Sequence, residues 1–236
     1  MSVYRTDYTI LSSDVDPDRQ LRLSRLFTLL QEMSIAHTIE LGMGREKTLD
    51  RGLLWIVTLQ QVQVHRLPLY DEQVKLSSWP GDTLHLYFPR YYRMEAPSGE
   101  LLLEGSALWA LMDEGSRRIV FPEEHGIRIR GERTGQEPPL PAAPRAAKGE
   151  AVESFRVPRS YCDINGHMNN TRYFDLAEDR LPEALRRRPL SLVRAEYSGE
   201  AREGESIQLT GAASETSFSL SGDKDRKLFR LNLLFA

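Results

Sequence analysis

The sequence is short of the features that mark several large classes of protein. Its 236 residues include one cysteine, Cys162, which cannot form an internal disulfide and so gives no sign of an oxidising compartment. The formal charge of −3 argues against a nucleic-acid-binding protein, which would usually be basic. No apolar run approaches the roughly 18 residues that a membrane span requires. With 40% hydrophobic and 28% charged residues, the composition is that of an ordinary globular protein.

The first residues, MSVYRTDYTI, also lack targeting signals. They have neither the apolar core of a signal peptide nor the Arg-rich amphipathic pattern of a transit peptide. We therefore expect a cytoplasmic protein.

One segment, residues 131–149, differs in composition from the rest of the chain. It reads GERTGQEPPLPAAPRAAKG, with four prolines and no periodic apolar face. Proline fixes a backbone dihedral and removes a hydrogen-bond donor, so this composition predicts an extended linker. The linker would separate a domain at 1–130 from a domain at 150–236.

The two parts show the same order of predicted elements. In each, a strand and a polar turn precede an amphipathic helix, and four strands follow. The first helix is predicted at 21–41, with its apolar face at Leu26, Leu29, Leu30, Met33 and Ala36. The second carries Tyr173, Leu176, Ala177 and Arg180 on one face, and is expected to break and restart at Pro182. A Gly-Asp pair is expected to turn the last hairpin.

This repetition predicts an α+β fold, in which each unit is a long helix beside a curled antiparallel sheet. The turns register if Asp14 is set against Asp163, and Phe27 then meets Phe174 after a slip of two residues. In that register DINGH in the second copy replaces DVDPD in the first. Chemically versatile residues thus occur in one copy only, which indicates one active site per chain.

The stretch YCDINGHMNNTRYFD, at 161–175, is unusually rich in hydrogen-bonding groups. Asp and Asn before a helix are good caps, so capping is one interpretation. A calcium loop fits poorly because Met168 and Phe174 stand where Gly and Glu would be needed. The five histidines are too scattered for a zinc site, and no glycine-rich phosphate loop is present, so no cofactor is implied. The remaining interpretation is a site at a helix N-terminus that stabilises negative charge on a carbonyl oxygen, with a carboxylate from elsewhere as base.

DINGHMNNTRY, followed after a helix by AEYSGEAREGESI, resembles the acyl-acyl carrier protein thioesterase family. GLLWIVTLQQVQVHRLPLYDEQVKLSSWPGD and LLLEGSALWALMDEGSRRIVFP are similar to the family's N-terminal part, so the likeness covers all but the linker. It implies a tandem double hotdog fold, with the acyl chain housed in the first domain. It also implies an active site that falls here on Asp163, Asn165, His167 and Glu200, and a fatty-acylated acyl carrier protein as partner.

The expected chemistry is thioester hydrolysis, with Glu200 as general base on water, Asn165 and His167 positioning water and substrate, and Asp163 orienting the group. Many relatives carry a cysteine after this glutamate, whereas this chain has Ala201, so direct attack by water is expected. Trp55, Met33 and Trp109 are candidates for the wall of an acyl tunnel, although core packing is the simpler interpretation of each.

Two arginine groups could dock an acidic carrier protein: Arg186–Arg188, and Arg128 with Arg130 and Arg133. A solvated helix end, whose cations suit the negative end of the helix dipole, is the simpler interpretation of the first group. An acyl-coenzyme A thioesterase and a non-catalytic acyl-thioester-binding protein remain alternatives. The sequence leaves open whether two chains form a homodimer.

Overall fold

The structure is a computed structural model that describes residues 3–145 and 149–236. Its strands in the first half are β1 (Tyr4–Thr9), β2 (Leu53–Val64), β3 (Gln73–Pro80), β4 (Tyr87–Glu95) and β5 (Leu101–Asp113). Those in the second half are β6 (Glu150–Arg156), β7 (Leu190–Tyr197), β8 (Ser206–Ala213), β9 (Ser217–Asp223) and β10 (Lys227–Phe235). The helices are α1 (Leu23–Glu40), α2 (Arg172–Arg180) and the short α3 (Glu183–Arg186). The predicted element order is confirmed in both halves.

All ten strands belong to one antiparallel sheet, in the order β1-β3-β4-β5-β2-β7-β10-β9-β8-β6. From the central pair, β2 and β7, toward each edge of the sheet, the corresponding strands of the two halves follow in the same order. The halves join where β2 pairs with β7, with Val62 opposite Val193. Because both are buried, the junction is part of a continuous core. The α+β class is thereby confirmed.

The two main helices pack on the same face of this sheet and against each other. On α1 the side chains of Leu26, Leu30 and Met33 are buried, as the apolar spacing predicts. On α2, Phe174 stacks on Phe27 of α1, with ring centroids 3.9 Å apart and planes 11° from parallel. The predicted break of the second helix is also confirmed, since α2 ends before Pro182 and α3 begins after it. None of the described helices is both long and apolar enough to cross a membrane.

The two turns before the helices correspond closely, but in a register that differs from the predicted one. The N–H of Asp16 donates to the carbonyl four residues later, and the N–H of Asp163 does the same, both at 2.9 Å. Asp16, and not Asp14, is therefore the counterpart of Asp163. Asp14 is fully buried and bonded to the Arg25 side chain. With this register Phe27 matches Phe174 without any slip, so DPDRQ, not DVDPD, stands where the second half has DINGH.

The loops that follow β2 and β7 correspond as well. The N–H of Leu21 donates to Pro68, and in the second half the N–H of Met168 donates to Ala201. Isolated bridges pair Gln20 with Leu69 and His167 with Arg202 in the same way. This register places Glu200 opposite Leu67 of the first half and His167 opposite Gln20.

The prediction for the last hairpin is wrong. Gly222 and Asp223 lie within β9, and the turn is made by the three residues that follow. A side chain at Gly222 would place its first carbon 2.1 Å from a ring carbon of Phe229. This glycine therefore permits close packing of Phe229 and does not turn the chain.

Residues 131–145 contain no helix or strand and cross the face of the sheet opposite the helices. Ser106 donates its hydroxyl to the carbonyl of Pro139, at 2.6 Å. The Asn232 side chain exchanges two hydrogen bonds with the backbone of Arg145. The predicted linker also includes residues 146–148, which lie outside the described residues. The described part is thus held on the sheet by polar side chains from both halves.

Candidate active site

The polar loop before α2 is a tight turn with its own backbone hydrogen bonds. Gly166 has φ of 75°, a left-handed conformation that suits glycine, and its N–H donates to the carbonyl of Asp163. The Asp163 carboxylate accepts the backbone N–H of Asn165 at 2.8 Å. This turn fixes the backbone on both sides of His167.

The loop after β7 carries Glu200 to this turn. Because the Met168 N–H donates to the carbonyl of Ala201 at 2.7 Å, the two loops run side by side. His167 Nε2 then lies 3.4 Å from Glu200 Oε2. Backbone hydrogen bonds between the two loops thus bring Glu200 beside His167, although the two residues are far apart in sequence.

The four predicted site residues line one cleft, of about 170 Å³, at the N-terminal end of α2. We call it the active cleft. Asn165 is exposed at its mouth, whereas Asp163 and His167 are partly buried. In the described structure the Asp163 carboxylate bonds the Asn165 backbone and not the His167 ring, so it shapes the turn.

His167 Nε2 faces two groups of opposite character. Arg202 Nε points its N–H at this nitrogen from 3.3 Å, while the Glu200 carboxylate lies on the other side. A neutral Nε2 accepts from Arg202, and a protonated Nε2 donates to Glu200. The position of one proton therefore decides which contact the ring keeps.

Sequence reasoning missed Arg117. It lies in the turn after β5, with φ of 56°, and its guanidinium forms an ion pair with Glu200 Oε1. The pKa of Arg117 is raised, chiefly by this hydrogen bond. Nothing near Arg117 in the sequence indicates a partner in the other half of the chain. The Glu200 carboxylate is thus held on one oxygen by Arg117 and faces His167 with the other.

The start of α2 was expected to offer several free N–H groups, but most are already bonded. The side-chain oxygen of Asn169 accepts the N–H of Thr171 at 2.9 Å, and its backbone carbonyl accepts that of Arg172, the first residue of α2. The N–H of Tyr173 donates to the carbonyl of Asn170. Among the described residues, the N–H of Asn170 itself has no hydrogen-bond partner. The available donor is therefore one amide that borders the active cleft.

An apolar cavity of about 250 Å³ adjoins the active cleft on the side of the first half. Trp55, Trp109 and Asn165 line both spaces. The prediction that Trp55 and Trp109 border a tunnel is consistent with this wall. Met33 is 4% exposed and lies in the core, so it is not part of the lining.

Cys162 lies outside the active cleft. Its sulfur is 3.9 Å from the carbonyl of Pro158, and its backbone pairs with Met168. The described residues contain no group of three or more His, Cys, Asp or Glu side chains that could hold a metal ion.

Family profiles match both halves of the chain. Residues 1–125 match the acyl-ACP thioesterase N-terminal domain, and residues 145–227 match the acyl-ACP thioesterase C-terminal domain, where ACP is acyl carrier protein. The chain belongs to the acyl-ACP thioesterase family.

The curated relatives that the chain matches are distant in sequence. A chloroplastic acyl-acyl carrier protein hydrolase, FATB3, of Cuphea viscosissima is 25% identical over 242 residues, which cover 96% of this chain and 58% of the relative. This chain therefore spans less than two thirds of the length of that curated relative.

Solved structures share the fold. An acyl-ACP thioesterase from Bacteroides thetaiotaomicron has a TM-score of 0.87 at 19% identity, and covers 99% of this chain and 98% of its own. The 12:0-ACP thioesterase from Umbellularia californica has a TM-score of 0.79, also at 19% identity, with 99% and 97% covered.

Proposed function

We propose that this protein hydrolyses the thioester of a fatty acyl-acyl carrier protein to a free fatty acid and the carrier thiol. The observation that carries the proposal is the active cleft. It places Glu200, His167 and Asn165 around one space, and that space adjoins an apolar cavity. A carboxylate base beside an apolar pocket suits an acyl chain whose reacting end is polar.

The reaction proceeds by general-base activation of water. Glu200 takes a proton from water while the water oxygen bonds to the acyl carbonyl carbon. The tetrahedral intermediate then expels the sulfur, which leaves as the thiol with the proton returned by Glu200. Asn165 and His167 position water and substrate, and Asp163 shapes the turn that carries them. A well-placed base contributes about 10²–10⁴-fold in rate.

Arg117 fixes the orientation of the base. Because its guanidinium occupies Glu200 Oε1, the oxygen that faces His167 is the one available to a water molecule. An ionised partner makes such a hydrogen bond stronger than a neutral one. Arg117 is thus a positioning residue supplied by the first half.

No enzyme thiol takes part. Ala201 is buried directly after Glu200, and Cys162 lies away from the active cleft. We expect Cys162→Ser to retain most activity.

We further propose that the chain is a tandem double hotdog. Its units are an N-terminal hotdog domain at 1–130 with the acyl pocket, a linker at 131–149, and a C-terminal hotdog domain at 150–236 with the acid–base residues. Support comes from the identical order of strands in the two halves and from the separate family matches.

The carrier protein is the preferred partner, and the protein acts in the cytoplasm. Arg186–Arg188 are exposed, as are Arg128, Arg130 and Arg133, so either group can meet an acidic surface. Such attraction between exposed charges is screened over about 8 Å at physiological salt.

The test is release of free thiol from acyl-acyl carrier protein and from acyl-coenzyme A, each with several chain lengths, at low and high salt. We expect preference for the carrier protein, weakening as salt rises. Equal efficiency on both carriers at low salt would favour an acyl-coenzyme A thioesterase. Binding without thiol release would identify a non-catalytic acyl-thioester-binding protein. Sedimentation of the same samples would show whether a homodimer forms.

A further inference from the structure

The molecule contains a second cleft that mirrors the active cleft. It lies at the N-terminal end of α1, where the active cleft lies at that of α2. The mirror cleft is lined by the first-half counterparts of the site residues, namely Asp16, Asp18, Gln20 and Leu67 in place of Asp163, Asn165, His167 and Glu200. It therefore shows what the same backbone does without the acid–base set.

In the mirror cleft an oxygen atom occupies the helix N-terminus. The N–H of Leu23, the first residue of α1, donates to Glu178 Oε1 at 2.9 Å. Glu178 belongs to α2, so the oxygen comes from the other half of the chain. Free N–H groups at the start of a helix attract negative charge. Glu178 supplies an acceptor oxygen here in a fixed geometry.

The counterparts of these two residues are both in the active cleft. The sequence offset that relates Asp16 to Asp163 also relates Leu23 to Asn170 and Gln31 to Glu178. Asn170 and Gln31 both line the active cleft. Gln31 projects from α1 toward the start of α2, as Glu178 projects from α2 toward the start of α1.

Neither counterpart is engaged in the active cleft. The Asn170 N–H has no hydrogen-bond partner among the described residues, and the same holds for the half-buried Gln31 side chain. Both groups line the active cleft and are therefore open to a ligand there. The active cleft thus holds two donors where the mirror cleft holds a donor already bonded to an acceptor.

We propose that the Gln31 side-chain amide and the Asn170 backbone N–H together bind the acyl carbonyl oxygen and the negative charge that develops on it. This rests on the proposed thioester hydrolysis and makes Gln31 a catalytic residue from the first half. The decisive chemical difference is that Glu178 of the mirror cleft corresponds to Gln31 of the active cleft. The carboxyl oxygen of Glu178 accepts the N–H and so fills it, and in the ionised form it also repels an anion. An amide donates, so it leaves the N–H open and adds a second donor.

The experiment compares kcat, KM and melting temperature for variants in the two clefts on one acyl-acyl carrier protein. Gln31→Met keeps the length of the side chain but removes the donor, and we expect kcat to fall about 10²-fold with little change in KM. Gln31→Glu reproduces the mirror cleft, and we expect at least as large a loss. Glu178→Gln is the matched control outside the active cleft, and its kcat should equal that of the wild type.

The outcomes separate this inference from the function on which it rests. If the wild type releases thiol and Glu200→Gln is crippled, but Gln31→Met turns over at the wild-type rate, the oxyanion assignment is wrong and the hydrolase stands. If the wild type releases no thiol from any acyl carrier, both fail. A folded Gln31→Met protein that loses kcat beside a fully active Glu178→Gln protein supports the assignment. Loss of kcat in both variants would contradict it, because a general effect on helix packing would then explain the data.

Discussion

The active cleft and the mirror cleft share a backbone and differ in a few side chains. The turn and the neighbouring loop keep the same backbone hydrogen bonds although Gln20 replaces His167 and Leu67 replaces Glu200. His167 and Glu200 are therefore not needed to form the turn. This argues against a role in forming the turn as the reason for their presence, since a turn without either residue also precedes the helix of the first half.

The largest expected effect comes from replacing Glu200 with a neutral side chain, since its counterpart in the mirror cleft, Leu67, carries no charge. Glu200→Gln keeps the shape of the side chain but removes the base, so kcat should fall about 10²-fold or more with little change in melting temperature. The measurement is thiol release beside a thermal melt. Leu67→Gln, in the mirror cleft, is the control and should leave kcat unchanged. A Glu200→Gln protein with wild-type turnover would end the hydrolase proposal.

His167→Gln copies the mirror cleft at the neighbouring position. The amide retains hydrogen-bonding capacity but cannot carry the proton that decides between Glu200 and Arg202, so we expect a loss comparable to that of Glu200→Gln. Because the two residues act on one transition state, the double variant should be scarcely worse than either single one. Losses that multiply in the double variant would show that the residues act independently.

A smaller effect is expected from Arg117, which has no part in the mirror cleft. Arg117→Gln should lower kcat by roughly tenfold, because the carboxylate loses a fixed partner but keeps its chemistry. The measurement is thiol release beside a thermal melt. A folded Arg117→Gln protein with wild-type kcat would show that Arg117 does not orient the base.

The fold could largely be predicted from the sequence, because helix and strand periodicities are local. Leu26, Leu30 and Met33 mark α1 without reference to anything distant. The predicted register of the repeat was wrong by two residues because Asp14 and Asp16 are chemically identical in a short turn. Backbone bonds that a sequence does not display decide between them.

The candidate site was only partly predictable, for the same physical reason. Asp163, Asn165 and His167 are neighbours in one motif, whereas Glu200 was found through a family likeness. Arg117 and Gln31 reach the active cleft from the other half of the chain. No local pattern specifies such contacts, because they depend on how β2 and β7 join the two halves.

The smallest expected effect is on stability: the burial of Glu178 in the mirror cleft should lower the free energy of unfolding at neutral pH. Burial raises the pKa of Glu178 from 4.5 to about 7, against the opposing effect of its bond from Leu23. The folded protein therefore keeps a proton that the unfolded chain releases above pH 4.5, so stability should fall as pH rises toward 7 and level off near pH 8. Complete ionisation of Glu178 lowers the free energy of unfolding by about 3 kcal/mol at most. Glu178→Gln keeps an oxygen for the Leu23 N–H and carries no charge. Relative to the wild type, its free energy of unfolding should rise between pH 5 and pH 8, as urea denaturation at each pH would measure. Parallel pH dependences for the two proteins would show that Glu178 titrates as an exposed carboxylate.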